Sequence, residues 1–334
     1  MNIGIVGAGL QGRRRAQALK QFKDDKLIAV VDVNRDAAKA LIAGSDAKVL
    51  SNWEELVTSK EVDIVVICTP PNLHVSIGTA AMNSGKHVLC EKPLALNTQE
   101  AEKMAAAAQD NKVKLKCGFN HRFHPAIKQA KTWIGQGLIG ELMFIRCQYG
   151  IGGRPGYDKE WRADAKIAGG GQLMDQGMHL LDLCRWFLGD FNEAFGFLST
   201  SYWDMPLEDN AFALLRTQKG QVASMHTSWT QWKNQFLFEI SGKDGYVIID
   251  GLGGSYGTEK AILGKRAFLL PFREEIIEFR GEDRSWQEEW QEFVSAIKTN
   301  REPISSGFDG LQANRLADAI YRSTRIGAAV KLGE

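Results

Sequence analysis

The chain has 334 residues, more than one compact core usually holds, and this length predicts two domains. Its 41 basic and 40 acidic residues leave a net charge of +1, which argues against a nucleic-acid partner. No apolar stretch is long enough to cross a bilayer, which argues against a membrane partner. A strand predicted from Asn2 leaves no room for a signal peptide, so we expect a cytoplasmic protein.

Five cysteines are spread through the chain, mostly inside apolar runs and without a Cys-x-x-Cys pair. An odd number at wide spacing fits neither a disulfide framework nor a zinc site. We therefore expect small core residues in a reducing compartment, and no bound metal. These residues are Cys68, Cys90, Cys117, Cys147 and Cys184.

An apolar strand from Asn2 to Val6 leads into the sequence Gly7-Ala8-Gly9-Leu10-Gln11-Gly12. A helix follows, and a second strand, Leu27 to Val31, ends at Asp32 about 20 residues past the last glycine. In this context the first glycine makes the turn, the second lets the backbone approach a pyrophosphate, and the third lets helix and strand pack closely. The pattern predicts a dinucleotide site formed by Gly7, Gly9, Leu10, Gln11, Gly12 and Asp32.

Charged residues near the glycines bear on the choice of cofactor. The carboxylate of Asp32 accepts hydrogen bonds from ribose hydroxyls and repels a 2′-phosphate, so NAD is favoured. Arg35, three residues later, is near enough to reach such a phosphate, which leaves NADP open. Residues 13 to 15 are three arginines that oppose the dipole at the start of the helix, a conflict that a bound pyrophosphate relieves. The alternative is that at least two of them extend into water.

Strands and helices continue to alternate up to Phe119. Asn52 and Asn97 are predicted to cap helices, and further strands are predicted at 63–68, 86–90 and 114–119. Continuous apolar strands separated by helices predict a doubly wound parallel sheet, which binds ligands beyond the carboxyl ends of its strands. The residues expected there, and assigned to cofactor binding, are Thr69, Pro70, Asn72, Glu91 and Lys92.

Residues Gly169 to Asp182 are the most informative segment of the second half. A helix that starts after the glycine triplet places Asp175, His179 and Asp182 on one face, while the rest of that helix is apolar almost all round. Three glycines would leave room for a ligand at the start of the helix. Alone, the stripe fits a satisfied core pair as well as a working site.

Three motifs in order give the chain a resemblance to the Gfo/Idh/MocA family of oxidoreductases. They are the glycine loop, Glu91-Lys92-Pro93 at the end of a buried strand, and the segment from Gly169 to Asp182. The resemblance spans nearly the whole chain. It includes the sequence from Asn120 to Phe123 and a predicted helix from Asp309 to Ala328.

The resemblance implies an α/β protein with an N-terminal Rossmann domain, residues 1–120, and a C-terminal α/β domain, residues 121–334, with a large, mostly antiparallel sheet. In this family that sheet often forms dimer or tetramer contacts, so a homodimer or homotetramer is expected. The terminal helix, 309–328, is expected to return to the first domain. Strands are predicted at 141–149, 192–199, 211–217, 222–230, 236–241 and 246–250.

The resemblance also implies the chemistry. Lys92 is expected beside the nicotinamide and the substrate, often next to a cis proline at the position of Pro93. His179 is the expected acid/base group, and Asp175 is expected to contact His179 or the substrate. We assign catalysis to Lys92, Asp175 and His179, and substrate binding to Arg122, Arg162, Asp164, Asp175 and His179.

The expected activity is transfer of a hydride between NAD and a secondary alcohol or ketone of a sugar, cyclitol or nucleotide sugar. One alternative is a glycosidase of the same fold that uses bound NAD for a transient oxidation. The other is a non-catalytic dinucleotide-binding regulator, which would not need Lys92, Asp175 and His179 together.

Overall fold

The computed structural model describes residues 1–269, 271 and 273–333. They form two compact units, which are described separately. The first contains Met1–Asn120 and Trp286–Asn314, and the second contains His121–Ser285 and Arg315–Glu334. The predicted domains, 1–120 and 121–334, stay a prediction, and residues 270, 272 and 334 of the second lie outside the described residues.

Helices and strands alternate in the first unit, whereas strands dominate the second. The helices are α1 (Leu10–Leu19), α2 (Arg35–Leu41), α3 (Trp53–Thr58), α4 (His74–Asn83), α5 (Thr98–Asp110), α6 (Pro125–Gly135), α7 (Ala165–Ala168), α8 (Met178–Leu188), α9 (Ser285–Lys298) and α10 (Gly307–Ile326). The strands are β1 (Asn2–Val6), β2 (Lys26–Val31), β3 (Lys48–Val49), β4 (Ile64–Ile67), β5 (His87–Cys90), β6 (Leu115–Cys117), β7 (Leu142–Gly150), β8 (Phe191–Ser199), β9 (Asn210–Thr217), β10 (Val222–Ser228), β11 (Gln235–Gly242), β12 (Gly245–Asp250), β13 (Glu259–Lys265), β14 (Glu274–Phe279) and β15 (Val330–Lys331).

A parallel sheet with the order β3-β2-β1-β4-β5-β6 forms the centre of the first unit. The chain reverses its direction of winding between β1 and β4, which is the switch point where doubly wound sheets bind ligands. β4 is buried along its whole length, as expected for a strand covered on both faces. Asn52 and Asn97 accept hydrogen bonds from Glu55 N and Glu100 N, so both predicted caps are confirmed.

Arg15 differs from Arg13 and Arg14, because its side chain is buried while theirs are exposed. Its guanidinium binds Glu91, with Nε 2.7 Å from Oε1, and also Glu289 of α9. Burial lowers the pKa of Arg15, but the two carboxylates more than offset this and hold it above its usual range. Protein carboxylates therefore supply the anions for Arg15, while Arg13 and Arg14 are exposed, as the alternative expected for two of the three arginines.

The second unit is built on one mixed sheet with the order β14-β13-β12-β11-β7-β10-β9-β8-β15. Among the described strand pairs of this second sheet, only β7 and β10 are parallel. The predicted large, mostly antiparallel sheet is therefore confirmed. α6 and α8 pack on one face, whereas large apolar side chains stay exposed on β8 and β9.

All six strands predicted for this sheet are present, with ends that differ by no more than two residues. β13, β14 and β15 were not predicted. β14 reads Glu-Glu-Ile-Ile-Glu-Phe and is mostly exposed, so it lacks the apolar alternation of a half-buried strand. β15 has two residues and is too short to show any period.

Asp209, beside β9, fixes the loop that precedes this strand. Its buried carboxylate accepts hydrogen bonds from the backbone N–H groups of Ser201, Tyr202 and Trp203, at 2.8, 2.8 and 3.0 Å. Burial raises the pKa of Asp209, but these hydrogen bonds outweigh that effect, and its pKa lies below the usual value.

We expect Asp209→Asn to lower the free energy of unfolding by about 1–3 kcal/mol at pH 7, because the amide nitrogen cannot accept these hydrogen bonds. The folded-state pKa of Asp209 is lowered, so its contribution is complete above the unfolded pKa and is lost as pH falls through the folded value. Urea denaturation between pH 7 and pH 3 should show the two proteins converging in acid. A difference that does not change with pH would contradict this assignment, and the exposed Asp204→Asn, in the same loop, is the matched control.

Candidate functional site

The glycine loop after β1 has the geometry that the sequence predicts. Gly7 has a φ of +103°, and a Cβ there would lie 2.6 Å from the Cys68 carbonyl carbon. A Cβ on Gly12 would lie 2.0 Å from the Gly7 carbonyl oxygen. Both positions therefore require glycine, one for the turn and one for close packing of α1. A Cβ on Gly9 would meet no atom within 4 Å, so its backbone is open to approach.

Asp32 lies at the carboxyl end of β2, directly beside this loop. Its Oδ2 accepts a hydrogen bond from Ala8 N at 2.5 Å, and its Oδ1 accepts one from Asn34 N at 2.7 Å. The structure therefore brings Asp32 and the glycine loop together, as predicted for residues that hold one nucleotide.

Two buried polar atoms near the strand ends test whether a dinucleotide fits this loop. Gln11 Oε1 and Thr69 Oγ1 are shielded from solvent and have no hydrogen-bond partner. A buried polar atom without a partner destabilises the fold unless a ligand or water forms a hydrogen bond with it. Leu10 is more than half exposed beside Gly9, Pro70 follows β4, and Asn72 is exposed in the 3₁₀ helix Pro71–Leu73. These residues fit a dinucleotide.

Glu91 and Lys92 follow β5, at the same edge of the sheet. The Glu91 carboxylate is committed to Arg15, so contact between Glu91 and a cofactor stays a prediction. Lys92 is half-buried and precedes Pro93 through a cis peptide bond, as the resemblance implied. His74, which sequence reasoning missed, has its Nδ1 2.9 Å from Pro93 O and its Nε2 2.9 Å from Thr69 O. It joins the loop after β4 to the loop after β5.

The predicted helix carrying Asp175 and His179 begins with a π-helical turn instead of an α-helical one. Leu173–Gly177 is a π-helix, and the α-helix α8 starts only at Met178. The α-helical spacing assumed for Asp175 and His179 is therefore wrong, because one wider turn lies between them. Asp175 is half-buried and His179 is 6% exposed.

Protein atoms occupy the space beside two of the three glycines, where the sequence predicts room for a ligand. A Cβ on Gly170 would lie 2.0 Å from Tyr321 Oη, and one on Gly171 would lie 2.0 Å from the Glu208 carbonyl oxygen. Glu208 Oε1 also accepts hydrogen bonds from Gly171 N, Leu173 N and Tyr321 Oη, at 3.0, 3.1 and 2.7 Å. Burial raises the pKa of Glu208, which these hydrogen bonds oppose. The triplet thus anchors the π-helix.

His121 was not predicted as a site residue, yet it stacks on His179. The ring centroids are 3.6 Å apart and the rings are inclined by 15°. His121 Nε2 lies 3.1 Å from Tyr149 Oη. The only signal in the sequence is that His121 precedes Arg122 after the last parallel strand, and this gives no pairing with a helix 58 residues later.

The predicted substrate residues fall into two groups. Arg122 is buried and forms a two-pronged ion pair with Asp182, at 2.8 and 2.6 Å, so its guanidinium is used within the fold. Arg162 is partly exposed and lies 3.9 Å from the Asp175 carboxylate, and Asp164 caps α7 by accepting from Lys166 N at 2.9 Å. Substrate contacts of all these residues stay predictions.

Residues 1–269, 271 and 273–333 contain no group of three or more His, Cys, Asp or Glu side chains arranged to hold a metal ion. None of the helices in this part of the chain is long and apolar enough to span a membrane.

Comparison with known proteins agrees with this geometry. Residues 1–119 match the family described as "Oxidoreductase family, NAD-binding Rossmann fold", and residues 127–248 match "GFO/IDH/MocA C-terminal domain". Levoglucosan dehydrogenase of Pseudarthrobacter phenanthrenivorans is 27% identical over 97% of this chain and 96% of its own. An uncharacterised oxidoreductase of Synechocystis is 31% identical over 81% of this chain and 76% of its own.

A solved structure of levoglucosan dehydrogenase in complex with NADH and levoglucosan superimposes with a TM-score of 0.90 at 25% identity, covering all of both chains. The fold and both family matches therefore agree over most of the sequence. The chain belongs to the Gfo/Idh/MocA family of oxidoreductases and is an NAD-binding enzyme of that family.

Proposed function

We propose that this enzyme is an NAD-dependent dehydrogenase that oxidises a secondary alcohol of a sugar, cyclitol or nucleotide sugar. The open backbone at Gly9, beside the unpartnered Gln11 Oε1 and Thr69 Oγ1, carries the proposal for the cofactor. The presence of Lys92, Asp175 and His179 in one chain supports catalysis, because a mere nucleotide-binding regulator needs none of them.

Residues 1–120 bind the dinucleotide, and residues 121–334 bind the substrate and form the oligomer. Asp32 holds the adenosine ribose hydroxyls and disfavours a 2′-phosphate, so NAD is preferred over NADP. All five cysteines lie within the described residues and are free thiols, which suits a cytoplasmic location.

Oxidation of a secondary alcohol removes a hydride from carbon and a proton from oxygen, and NAD, when bound, accepts the hydride. His179 takes the hydroxyl proton, since an imidazole changes its charge near neutral pH. Asp175, four residues earlier, stabilises the imidazolium that forms. Lys92 donates a hydrogen bond to the hydroxyl oxygen and stabilises its negative charge.

A panel of levoglucosan, aldoses, polyols, cyclitols and nucleotide sugars, assayed for NAD reduction, tests the function. We expect His179→Ala to lower kcat by about 100-fold or more, because a positioned base contributes at least that much, while NADH binding survives. Lys92→Met should lower kcat about 100-fold with little change in NADH affinity.

Near-normal turnover in either variant would remove the role assigned to that residue. Aryl glycosides in the same panel distinguish the glycosidase alternative, which would release the aryl group without net NADH formation. Parallel titrations with NAD and NADP test the cofactor preference, and tighter NADP binding would overturn it.

Two glycine variants separate cofactor binding from folding. Gly9→Ala should fold normally, because its Cβ meets no protein atom and its φ is −68°, but the added methyl would occupy the pyrophosphate position. We expect NADH affinity to fall by on the order of tenfold, or about 1.4 kcal/mol. Gly12→Ala should instead lower the melting temperature, since its Cβ would overlap Gly7 O. Unchanged NADH affinity in a folded Gly9→Ala protein would contradict the proposed site.

The exposed sheet face of β8 and β9 is the proposed oligomer interface. Phe197, Phe212 and Leu214 are 63%, 47% and 49% exposed there, which is unusual for a surface that stays in water. A face of this kind suits a two-fold contact between copies of the chain.

We expect Leu214→Glu to shift the protein toward monomers in sedimentation velocity, because it introduces a charge into this apolar contact. Leu214→Met keeps the apolar surface and should leave the sedimentation coefficient unchanged. An oligomer that persists in Leu214→Glu would place the interface elsewhere.

A further inference from the structure

His121 and His179 form a stacked imidazole pair buried among aromatic side chains. Each of the two residues is 6% exposed. The centroids are 3.6 Å apart and the rings are nearly parallel, so the N–H bonds of one ring point past the other rather than at it. Direct proton exchange between the two rings is therefore not favoured, but each ring feels the charge of the other at van der Waals distance.

Tyr149 fixes the His121 ring of this pair. Its hydroxyl lies 3.1 Å from His121 Nε2, and Phe236 and Tyr256 pack against its own ring with centroids 5.3 and 5.0 Å away. Burial, followed by the nearby Tyr256 and Asp175, raises the pKa of Tyr149 well above its usual value. The residue therefore stays a neutral phenol at physiological pH and anchors the His121 ring by a hydrogen bond.

Other titratable and charged groups surround the pair at greater distance. His124, on the same segment as His121, has its ring centroid 5.5 Å from that of His121, and its Nδ1 lies 3.0 Å from Glu259 Oε2. The ion pair between Arg122 and Asp182 lies on the same two segments as the stacked rings. Among the described residues, the groups that face or flank the pair include His124, Tyr149, Asp175, Tyr256, Glu259 and Asp283, together with this ion pair.

We propose that His121 is a positioning residue for His179: its ring fixes the plane of the catalytic imidazole, and the two stacked rings together bind at most one proton. Two positive charges at this separation, with little solvent, repel each other strongly. The pair therefore resists a second proton, and His179 remains in the neutral form that accepts a proton from the substrate over a wider range of pH. The catalytic part of this inference rests on the proposed function.

Two variants separate the positioning of the His179 ring by His121 from the effect of His121 on its protonation. His121→Phe keeps a flat ring against His179 but removes the charge, whereas His121→Ala removes the ring as well. We expect His121→Ala to lower kcat about tenfold or more, because misplacement of a reacting group is costly, with KM changed less than threefold. His121→Phe should retain most of kcat at its optimum. The acidic limb of its kcat profile should move to higher pH by about one unit, because His179 then binds a proton more readily.

NMR titration of proteins labelled at the imidazole carbons tests the shared proton without substrate or cofactor. The chain has six histidines, which single substitutions can assign. In the unaltered enzyme the resonances of His121 and His179 should change together in two separate steps, and in His121→Phe the His179 resonance should follow one step at higher pH. Tyr149→Phe, which loses only the anchoring hydroxyl, should keep the two coupled steps.

A His179 midpoint that stays the same or falls in His121→Phe would overturn the shared-proton inference. Full kcat in a folded His121→Ala protein would overturn the positioning inference. If no substrate in the panel reduces NAD, the proposed function fails, and the titration still decides whether the two rings share a proton.

Discussion

The close approach of α1 to the turn after β1 is the constraint on which the nucleotide-binding unit depends. Only an atom as small as hydrogen fits between the Gly12 Cα and the Gly7 carbonyl oxygen, because a Cβ would lie 2.0 Å from that oxygen. This contact sets the start of α1 against the carboxyl end of β1, where backbone N–H groups face outward and an anion is favoured. The carboxylate of Asp32 then fixes the loop by accepting from Ala8 N.

The same helix carries Arg15 into the interior, where a buried ion network ties four parts of the first unit together. Glu91 follows β5, Glu289 lies on α9, and Lys116 of β6 pairs with Glu292 of α9 at 2.8 Å. A buried cation without partners would destabilise the fold by several kcal/mol, so these carboxylates are required once Arg15 is inside. Through Glu91, the network holds the end of the strand that leads to Lys92.

The sequence was sufficient for the fold because its local signals agree with one another. Gly7 and Gly12, the asparagine caps at Asn52 and Asn97, and the continuous apolar strand β4 all indicate the same doubly wound sheet, and each is confirmed. The parts of the site that are formed by successive elements of the chain, such as Asp32 beside the glycine loop, were predictable for the same reason. Several of the failures involve partners that are distant in the chain. The carboxylates of Arg15, the stacking of His121 on His179, and the filling of the glycine triplet by Tyr321 and Glu208 have no local signature.

The glycine triplet shows how such a failure changes the interpretation of a motif. Glycines before a helix suggested space for a ligand, yet Gly170 and Gly171 admit a tyrosine hydroxyl and a carbonyl oxygen of this chain instead. The buried Glu208 carboxylate, which accepts from two N–H groups of this segment, then holds the start of the π-helix. Each hydrogen bond of a π-helix spans one residue more than in an α-helix, and single turns of this kind are frequent at functional sites. Asp175 lies within this wider turn and His179 lies in the first turn of the regular helix after it. The triplet therefore serves the proposed site indirectly, by fixing the backbone from which both side chains project.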